Sequence, residues 1–525
     1  MFDILIQKRF FPVLLFCFAY GFFSVNSGHI SIYMLDEAKN SECAREMLEQ
    51  KHLFEPTFNY NLRDDKPPLH YYFMMLSYAV FGINEWSARF FSTIFGAMTV
   101  VITFIFTARF LNKKTALLAS LVLLASPHFN IQSHLAVPDP YLIFFFCWSL
   151  FLFYSASTTN RPSHKILMYV AIALAVLSKG PVAIVLPGLI FLLYFLFSGQ
   201  LNRKTVRQLW PFTGIAIVLA ITLPWFIING IKTDWTWTTD FFLKHNLHRF
   251  GSEMQGHGGI FLLTFAYVLI GLLPFSVFFI RASRHIWHDK KNRFILFTAT
   301  AALTITIFFS ISQTKLPNYT VPAYPFFAVL TAYFLDKIIS VKTNLKPEFL
   351  TLLLVAIAIP VGGYFILHSD KALASGAGVM WWMTIIPAVM VPAFYFLHRK
   401  KNEKSLITVG IAFMLLSVLL FIKVFPAIDK NNPVVESLPL IKGKKVAYYK
   451  KFNASYSFYL KKKIPGLEEN QLAAFFLDNP EGILISIKSE IGKIKLPENC
   501  KIIFSGKDLF ELPTTVLISK EENSN

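Results

Sequence analysis

The chain has 525 residues, of which 54% are hydrophobic and only 15% are charged, and its mean hydropathy is +0.50. This composition excludes an ordinary soluble domain and is typical of a polytopic membrane protein. The net charge of +19 does not indicate nucleic-acid binding, because the basic residues lie in short clusters between apolar runs, as membrane loops require. The four cysteines show no metal-ligand spacing.

Apolar runs long enough to cross a membrane recur along the first 425 residues. We expect a polytopic α-helical membrane protein with about thirteen transmembrane helices. The first run follows Lys8 and Arg9 without a convincing cleavage site, which predicts an anchored helix instead of a removed signal peptide. The predicted spans are 8–27, 87–108, 115–134, 141–157, 166–178, 181–198, 210–229, 259–280, 293–312, 319–338, 348–368, 378–397 and 405–424.

The loops between these spans alternate in charge. Every second loop, from 109–114 through 399–404, is rich in lysine and arginine, and the positive-inside rule places such loops in the cytoplasm. The N-terminus is then cytoplasmic as well. The loops that carry Asp36 and Asp139 lie together on the external side.

Two regions outside the spans have a structure of their own. In the external loop 26–86, residues 36–50 read as an amphipathic helix, and residues 69–82 are apolar but too short to cross, which predicts a helix in the outer interface. Residues 426–525 are rich in lysine and contain alternating, strand-like runs with helical stretches near 454–462 and 470–478. We therefore expect two domains, a transmembrane domain 1–425 and an external α/β domain 426–525.

The external side collects polar residues beside apolar spans. Asp36 and Asp139 indicate a polar site, because a carboxylate this close to hydrocarbon is costly to desolvate. Lys66, Lys179 and Lys315 each lie within two residues of a proline, which stiffens the backbone around a cation. Together with Arg249 they would suit a lipid-bound phosphate, and the alternative for each is an ordinary solvated loop residue.

Eight short stretches along the chain resemble, in the same order, motifs of the polyprenyl-phosphate-sugar glycosyltransferases of the GT-C superfamily. That family includes the bacterial aminoarabinose transferases acting on lipid A and the protein O-mannosyltransferases. The resemblance covers roughly residues 10 to 340, and a thirteen-span core with an external C-terminal domain is the architecture it implies. The stretches are 36–47 (DEAKNSECAREM), 65–72 (DKPPLHYY), 84–89 (NEWSAR), 138–140 (PDP), 177–181 (LSKGP), 245–250 (HNLHRF), 274–275 (PF) and 315–319 (KLPNY).

The resemblance implies transfer of a sugar from a polyprenyl-phosphate carrier to an acceptor hydroxyl or phosphate, with inversion at the anomeric carbon. Asp36 would be the general base and Asp139 would orient the acceptor or the sugar. Cations would stabilise the leaving phosphate. The expected substrate-binding residues are Lys66 and Arg249, with Arg45, Glu37, Lys315 and Lys179 in supporting contacts.

The chain departs from the aminoarabinose transferase pattern at two positions. Asp65 stands where that pattern has Glu, and His245 lies one position before the expected histidine, at Asn246. Asp65 and His245 are candidate ligands for a divalent metal, and hydrogen bonding is the alternative role for both.

The implied partners are a polyprenyl-phosphate-linked sugar donor, membrane lipids, and an acceptor that is a lipid such as lipid A, a glycan or a protein. No nucleic acid is expected. The implied location is the bacterial inner membrane, with the C-terminal domain in the periplasm. Competing interpretations are a membrane transporter, a polysaccharide ligase or polymerase with diphosphate-linked donors, and a membrane scaffold.

Overall fold

A computed structural model describes residues 9–248, 258–288, 292–341 and 343–521. The described chain is mostly helical and has one five-stranded sheet near its C-terminus, in addition to a two-stranded ribbon. The predicted class, a polytopic α-helical membrane protein with a small C-terminal α/β unit, is confirmed.

The first half of the chain contains twelve α-helices, a π-helix (Leu243–His248) and one short ribbon within the described residues. In chain order they are α1 (Phe11–Phe23), α2 (Leu35–Gln50), β1 (Thr57–Phe58), β2 (Asn61–Leu62), α3 (Leu69–Phe81), α4 (Glu85–Phe110), α5 (Lys113–Ala125), α6 (Pro127–His134), α7 (Asp139–Thr159), α8 (Pro162–Lys179), α9 (Val182–Phe197), α10 (Arg203–Gln208), α11 (Pro211–Lys232) and α12 (Thr236–Phe242).

The second half continues with helices and then the sheet. The elements are α13 (Leu263–Gly271), α14 (Phe279–His288), α15 (Arg293–Ile311), α16 (Tyr324–Val341), α17 (Lys346–Ser369), α18 (Ile385–His398), α19 (Asn402–Leu419), α20 (Phe425–Asp429), α21 (Pro433–Ile441), β3 (Val446–Tyr449), α22 (Ser455–Leu460), β4 (Gly466–Leu467), α23 (Leu472–Asp478), β5 (Ile483–Ile487), α24 (Lys488–Ile491), β6 (Cys500–Lys507) and β7 (Thr514–Lys520).

Each predicted span coincides with a described helix or helix pair. By length and apolar composition alone, seven described helices could cross a membrane, and nine could if each of two bent pairs is one span. The bends measure 69° between α5 and α6 and 116° at 272–274. Pro127 and Pro274 stand at these breaks, and proline cannot continue the helical hydrogen bonding of the preceding turn.

The helices α7 and α8 position the site. They are joined by a short turn and run antiparallel, so the first residue of α7, Asp139, and the last residue of α8, Lys179, lie at the same end of the bundle. Helix α7 has 21 residues, which at roughly 1.5 Å per residue is about the thickness of the hydrocarbon core. Asn160, in the turn, therefore lies at the opposite membrane face.

Helix α2 is buried on more than one face. Its predicted apolar side is buried, but so are Asn40, Glu42, Arg45 and Glu46, which an amphipathic helix would expose to water. The expectation of a one-sided helix is wrong, because the ribbon β1–β2 and helix α22 cover the face away from the bundle. Burial of these polar groups requires internal partners. Arg45 and Glu42 pair with each other, Glu46 accepts from Thr57 and from the Tyr60 N–H, and Asn40 donates to the Ala136 carbonyl.

The C-terminal sheet has the strand order β4-β3-β5-β7-β6. The first three strands are parallel neighbours, and β7 pairs antiparallel with both β5 and β6. Every residue of β5 is buried because helices cover both faces of the sheet. The division of the chain at residue 425 stays a prediction.

The C-terminal unit is joined to the loop before α4 by specific polar contacts. The Tyr459 hydroxyl accepts the Ile32 N–H at 2.9 Å and donates to Glu85 at 3.0 Å. The Asn59 side chain makes a reciprocal pair of hydrogen bonds with the Ile464 backbone, at 2.9 and 2.8 Å. This docking brings the sheet to the face that carries Asp36.

Candidate active site

A cavity of about 240 Å³ lies where α7 begins, α8 ends and α15 ends. Its lining combines apolar side chains with charged and polar ones, as an amphiphilic ligand requires. The polar lining residues are Asp65, Lys66, Asp139, Lys179, His245, Ser312, Asn318 and Tyr319, and the apolar ones include Leu142, Val182, Val185, Phe241, Phe308 and Phe309.

Asp139 is held rigidly inside this cavity. Its Oδ1 accepts hydrogen bonds from Lys179 Nζ at 2.6 Å and from Asn318 Nδ2 at 3.2 Å. As the first residue of α7 it also interacts favourably with the positive end of the helix dipole. Lys179 Nζ lies 5.4 Å from the ring centre of Tyr319. Asp139 and Lys179, which the sequence predicts separately, form an ion pair.

Lys66 is the cation that links the cavity to Asp36. It is buried, and its Nζ lies 3.8 Å from Asp65 Oδ2. Burial alone would raise the pKa of Asp36, but the charges of Lys66 and Arg63 overcome this and hold it below its usual value. Although the surrounding protein atoms desolvate it, Asp36 keeps an exposed surface at the first turn of α2, so its ionised carboxylate is accessible.

Arg63 is a site residue that the sequence reasoning missed. Its guanidinium contacts Asp65 through Nε at 2.6 Å and Nη2 at 3.1 Å. Burial acts to raise the pKa of Asp65, yet the charges of Arg63 and Lys66 hold it well below its usual range. Arg63 Nη1 is buried without a hydrogen-bond partner among the described residues. Its position three residues before Lys66, in a loop rich in charged residues, could have indicated it from the sequence.

His245 contacts Asp64 instead of Asp65. Its Nε2 lies 3.3 Å from Asp64 Oδ1, and this hydrogen bond lowers the pKa of Asp64. Asp65 is already engaged by Arg63, so the expected donor pair does not offer two free ligands. Within the described ranges, no group of three His, Cys, Asp or Glu side chains has metal-binding geometry. The metal role of Asp65 and His245 stays a prediction, and no step below depends on it.

Glu37 does not face the cavity. It is fully buried and pairs with Arg89 through two hydrogen bonds of 2.8 and 2.9 Å, and it accepts the Ala136 N–H at 2.9 Å. Arg89 also donates to three backbone carbonyls before α2. These contacts tie the start of α2 to α4 and to the segment that leads into Asp139. They give Glu37 a structural role, and its expected contact with substrate stays a prediction.

Arg45 is likewise structural. It is fully buried and lies between Glu42, at 2.7 Å, and Glu49, its partner one turn later. Burial raises the pKa of the neighbouring Glu46 to about 7. Since Arg45 is surrounded by carboxylates of its own helix, it helps to neutralise this buried cluster. Its expected contact with substrate stays a prediction.

The two remaining predicted cations differ in position. Lys315 is buried, and its Nζ donates to the Ser312 carbonyl at 2.7 Å, so it lies directly behind a cavity wall. Arg249 lies outside the described residues. Its role in binding phosphate stays a prediction.

A loop from the C-terminal sheet also reaches the site. The turn between β6 and β7, residues 508–513, is called the β6–β7 tip below. The ring of Phe510 packs on Tyr33 at 5.6 Å, with Phe510 in the left-handed conformation at φ +58°. Burial and the charge of Asp508 raise the pKa of Glu511, and Lys39 and Asp36 also act on it. These groups therefore lie close together.

Comparisons with known proteins show the family of this chain. The family model for dolichyl-phosphate-mannose-protein mannosyltransferase matches residues 65–228. An uncharacterized protein of Aquifex aeolicus (strain VF5) is 30% identical over 331 residues, which are 63% of this chain and 74% of the relative. The crystal structure of ArnT from Cupriavidus metallidurans bound to undecaprenyl phosphate has a TM-score of 0.81 at 20% identity, covering 97% of this chain and 98% of that one. The chain belongs to the polyprenyl-phosphate-sugar glycosyltransferases of the GT-C superfamily.

A relative with a named activity is also similar to this chain. The undecaprenyl phosphate-alpha-4-amino-4-deoxy-L-arabinose arabinosyl transferase of Wigglesworthia glossinidia brevipalpis is 26% identical over 339 residues, 63% of this chain. The glycosyltransferase described here spans 60% of that relative's length. The predicted class, a multi-pass inner-membrane glycosyltransferase with a lipid-linked sugar donor, is confirmed and is favoured over a transporter, a diphosphate-dependent ligase or a scaffold.

Proposed function

We propose that this glycosyltransferase moves a sugar from a polyprenyl phosphate to an acceptor hydroxyl, and that Asp36 removes the proton of that hydroxyl. The observation that carries the proposal is the ionised, accessible Asp36 beside Lys66, where Lys66 also lines a cavity with both apolar and charged side chains. The apolar lining suits the first isoprene units, and Lys66 suits the phosphate.

The chemical step exchanges one bond at the anomeric carbon for another. The acceptor oxygen attacks that carbon on the face opposite to the phosphate, and the carbon–oxygen bond to the phosphate breaks. The phosphate keeps the electron pair of this bond, and nearby cations stabilise its charge as it develops. The proton of the acceptor passes to Asp36, so the anomeric configuration inverts.

The cations would act at different places. Lys66, with Arg249 beyond the described residues, contacts the leaving phosphate. Lys179 and Asn318, held by Asp139, orient the sugar from the other side of the cavity. Lys315 supports the Ser312 wall and adds positive potential from behind it.

The experiment that tests this proposal compares envelope lipids, glycans and glycoproteins by mass spectrometry in cells with the gene, without it, and with Asp36→Asn. We expect loss of one sugar from one acceptor class in the deletion, and the same loss with Asp36→Asn at unchanged membrane insertion. Asp478→Asn, an exposed aspartate of the C-terminal unit, is the matched control and should restore the sugar. An Asp36→Asn protein that restores it would overturn the proposal.

The same comparison decides the acceptor. A lipid such as lipid A, a glycan and a protein each give a distinct mass change in a distinct fraction. A deletion that changes no fraction contradicts the transfer itself.

We further propose that the face carrying Asp36 is periplasmic. The proposal is supported by the lysine- and arginine-rich turns, such as 399–404, at the opposite ends of the helices. Cys500 is partly exposed on the C-terminal sheet and offers a native reporter. A membrane-impermeant maleimide should label it in spheroplasts but should not label Cys500→Ser. Labelling of Cys500 only after lysis would contradict the orientation.

A divalent metal near Asp65 and His245 is a separate proposal. Dialysis against a chelator, followed by metal analysis and transfer assays with and without added Mg²⁺, tests it. A transfer rate that falls when the metal is removed and recovers when Mg²⁺ is added supports a metal site. A transfer rate that does not change rules the metal site out.

A further inference from the structure

A second cavity, of about 660 Å³, lies at the membrane face opposite to Asp36. It is formed by the turn between α7 and α8 and by helix α10 with the residues that follow it. Its charged lining residues are all basic, namely Lys165, Arg203, Lys204 and Arg207. Sugar transfer at the other face uses none of them.

The positive charge of this cavity is not neutralised from within. Lys165 is 3% exposed, and its Nζ donates to the neutral Asn160 side chain at 2.7 Å and lies 4.5 Å from the ring centre of Trp210. Within the described part of the chain, these contacts and the lining include no carboxylate partner for any of the four cations. A buried cation without a counter-ion calls for an external anion.

The surroundings of the cavity favour a lipid over a free ion. Val206 and Phe212 are 39% and 85% exposed beside the cations. Cations with tryptophan and exposed apolar side chains are typical of the boundary between headgroups and acyl chains.

We propose that this cavity binds the phosphate headgroup of an anionic phospholipid in the leaflet opposite to the transfer site. Lys165 and Asn160 form its inner wall, and Arg203, Lys204 and Arg207 close it from helix α10. The acyl chains then lie against Val206 and Phe212. The inference does not rest on the proposed function.

Native mass spectrometry of the full-length protein in a neutral detergent tests the proposal. The probes are phosphatidylglycerol and phosphatidylcholine with matched dioleoyl chains. We expect phosphatidylglycerol to bind at least about tenfold more tightly. Each cation contributes roughly fivefold, the equivalent of about 1 kcal/mol, so Arg203→Gln, Lys204→Gln and Arg207→Gln combined should remove most of the preference and leave only the contribution of Lys165.

Two controls make the result decisive. Arg399→Gln, Lys401→Gln and Lys404→Gln remove the same charge from the exposed turn between α18 and α19 and should keep the preference. Lys165→Met keeps the buried volume and should lower phosphatidylglycerol binding about fivefold. Release of polyprenyl phosphate in neutral detergent should be unchanged in the α10 triple variant, which separates this site from the transfer site.

The overturning results are specific. Equal phosphatidylglycerol binding by the wild type and the α10 triple variant would contradict the proposal. A loss of phosphatidylglycerol binding in the control triple variant as large as that in the α10 triple variant would contradict it as well. Displacement of the lipid by millimolar inorganic phosphate would also overturn it and assign the cavity to a free anion.

Discussion

The charge balance around Asp36 decides how the proposed base responds to pH. Its pKa lies below the usual value because Lys66 and Arg63 outweigh burial, so the carboxylate stays ionised from neutral pH down to below about 4. Since the carboxylate is ionised throughout this range, we expect kcat to show no acid limb between pH 7 and pH 5. The lowered pKa of Asp36 also stabilises the folded state above the usual pKa of aspartate, and this stabilisation is lost as pH falls through the lowered pKa.

Removal of Lys66 should move this acid limb upward. In Lys66→Met the burial of Asp36 is opposed by one cation fewer, so its pKa should rise and the acid limb of kcat at saturating donor should move to higher pH. The measurement is a pH profile of polyprenyl phosphate release. Lys232→Met, which removes a half-exposed lysine paired with Glu55, is the control and should keep the wild-type profile. An unchanged profile in Lys66→Met would show that Lys66 does not set the pKa of Asp36.

Single residues of the site were predictable where local sequence constrains them. Lys66, Asp139 and Lys179 stand beside prolines at the ends of apolar runs, and the structure brings all three to one cavity. Glu37 and Arg45 lie in the same charged stretch as Asp36, but the direction in which their side chains point depends on partners such as Arg89, which is distant in sequence. Residue type and spacing do not carry that information.

At the scale of elements, the pair Glu37–Arg89 holds α2 on the bundle. Both side chains are buried, so Arg89→Met leaves an uncompensated carboxylate and should lower the free energy of unfolding by about 3–5 kcal/mol. The measurement is reversible unfolding in a detergent titration. Combined Glu37→Gln and Arg89→Met should recover part of this loss. A change below about 1 kcal/mol in Arg89→Met would refute the anchoring role.

The β6–β7 tip should contribute to the acceptor side of the site. Phe510 packs on Tyr33 just before α2, Leu512 is 95% exposed, and Lys507 anchors the base of the tip to Asp370 at 2.6 Å. We expect Phe510→Ala and Glu511→Gln to raise the KM for the acceptor severalfold while kcat stays within about twofold. Leu477→Ala, an exposed apolar residue elsewhere on the C-terminal unit, is the matched control.

The readout for the tip is polyprenyl phosphate release against the concentration of the acceptor identified by mass spectrometry. An acceptor KM equal to that of the wild type in both variants, or a loss confined to kcat, would exclude the tip from acceptor binding.

Elements were predictable to the extent that periodicity determines them. The strands β3, β5, β6 and β7 and the helices α2, α3, α22 and α23 occur where alternation or apolar runs predict them. The two-residue strand β4 and helix α24 are too short to produce a pattern. Burial of the polar face of α2 was also unpredictable, because it is created by the ribbon and by α22, which are distant in sequence.

For the whole molecule, the antiparallel course of α7 and α8 sets two opposite faces. One face holds Asp36, Asp139 and the lysines, and the other holds the basic cavity around Lys165. The alternation of apolar runs and basic loops along the sequence predicted that the acidic residues and the basic loops lie on opposite faces, without any knowledge of side-chain contacts. The interlocking of the C-terminal sheet with the loop before α4 could not be predicted, since it depends on single contacts such as Asn59 with Ile464.

The central claim is that one cavity joins phosphate binding and proton removal through different residues. The most direct measurement compares polyprenyl phosphate binding by native mass spectrometry with sugar transfer from its glycosylated form, in the wild type, Lys66→Met and Asp36→Asn. We predict that Lys66→Met binds the lipid at least about tenfold more weakly, and that Asp36→Asn binds it normally but transfers about 10²–10⁴-fold more slowly. Normal binding by Lys66→Met, or undiminished transfer by Asp36→Asn, would contradict the account.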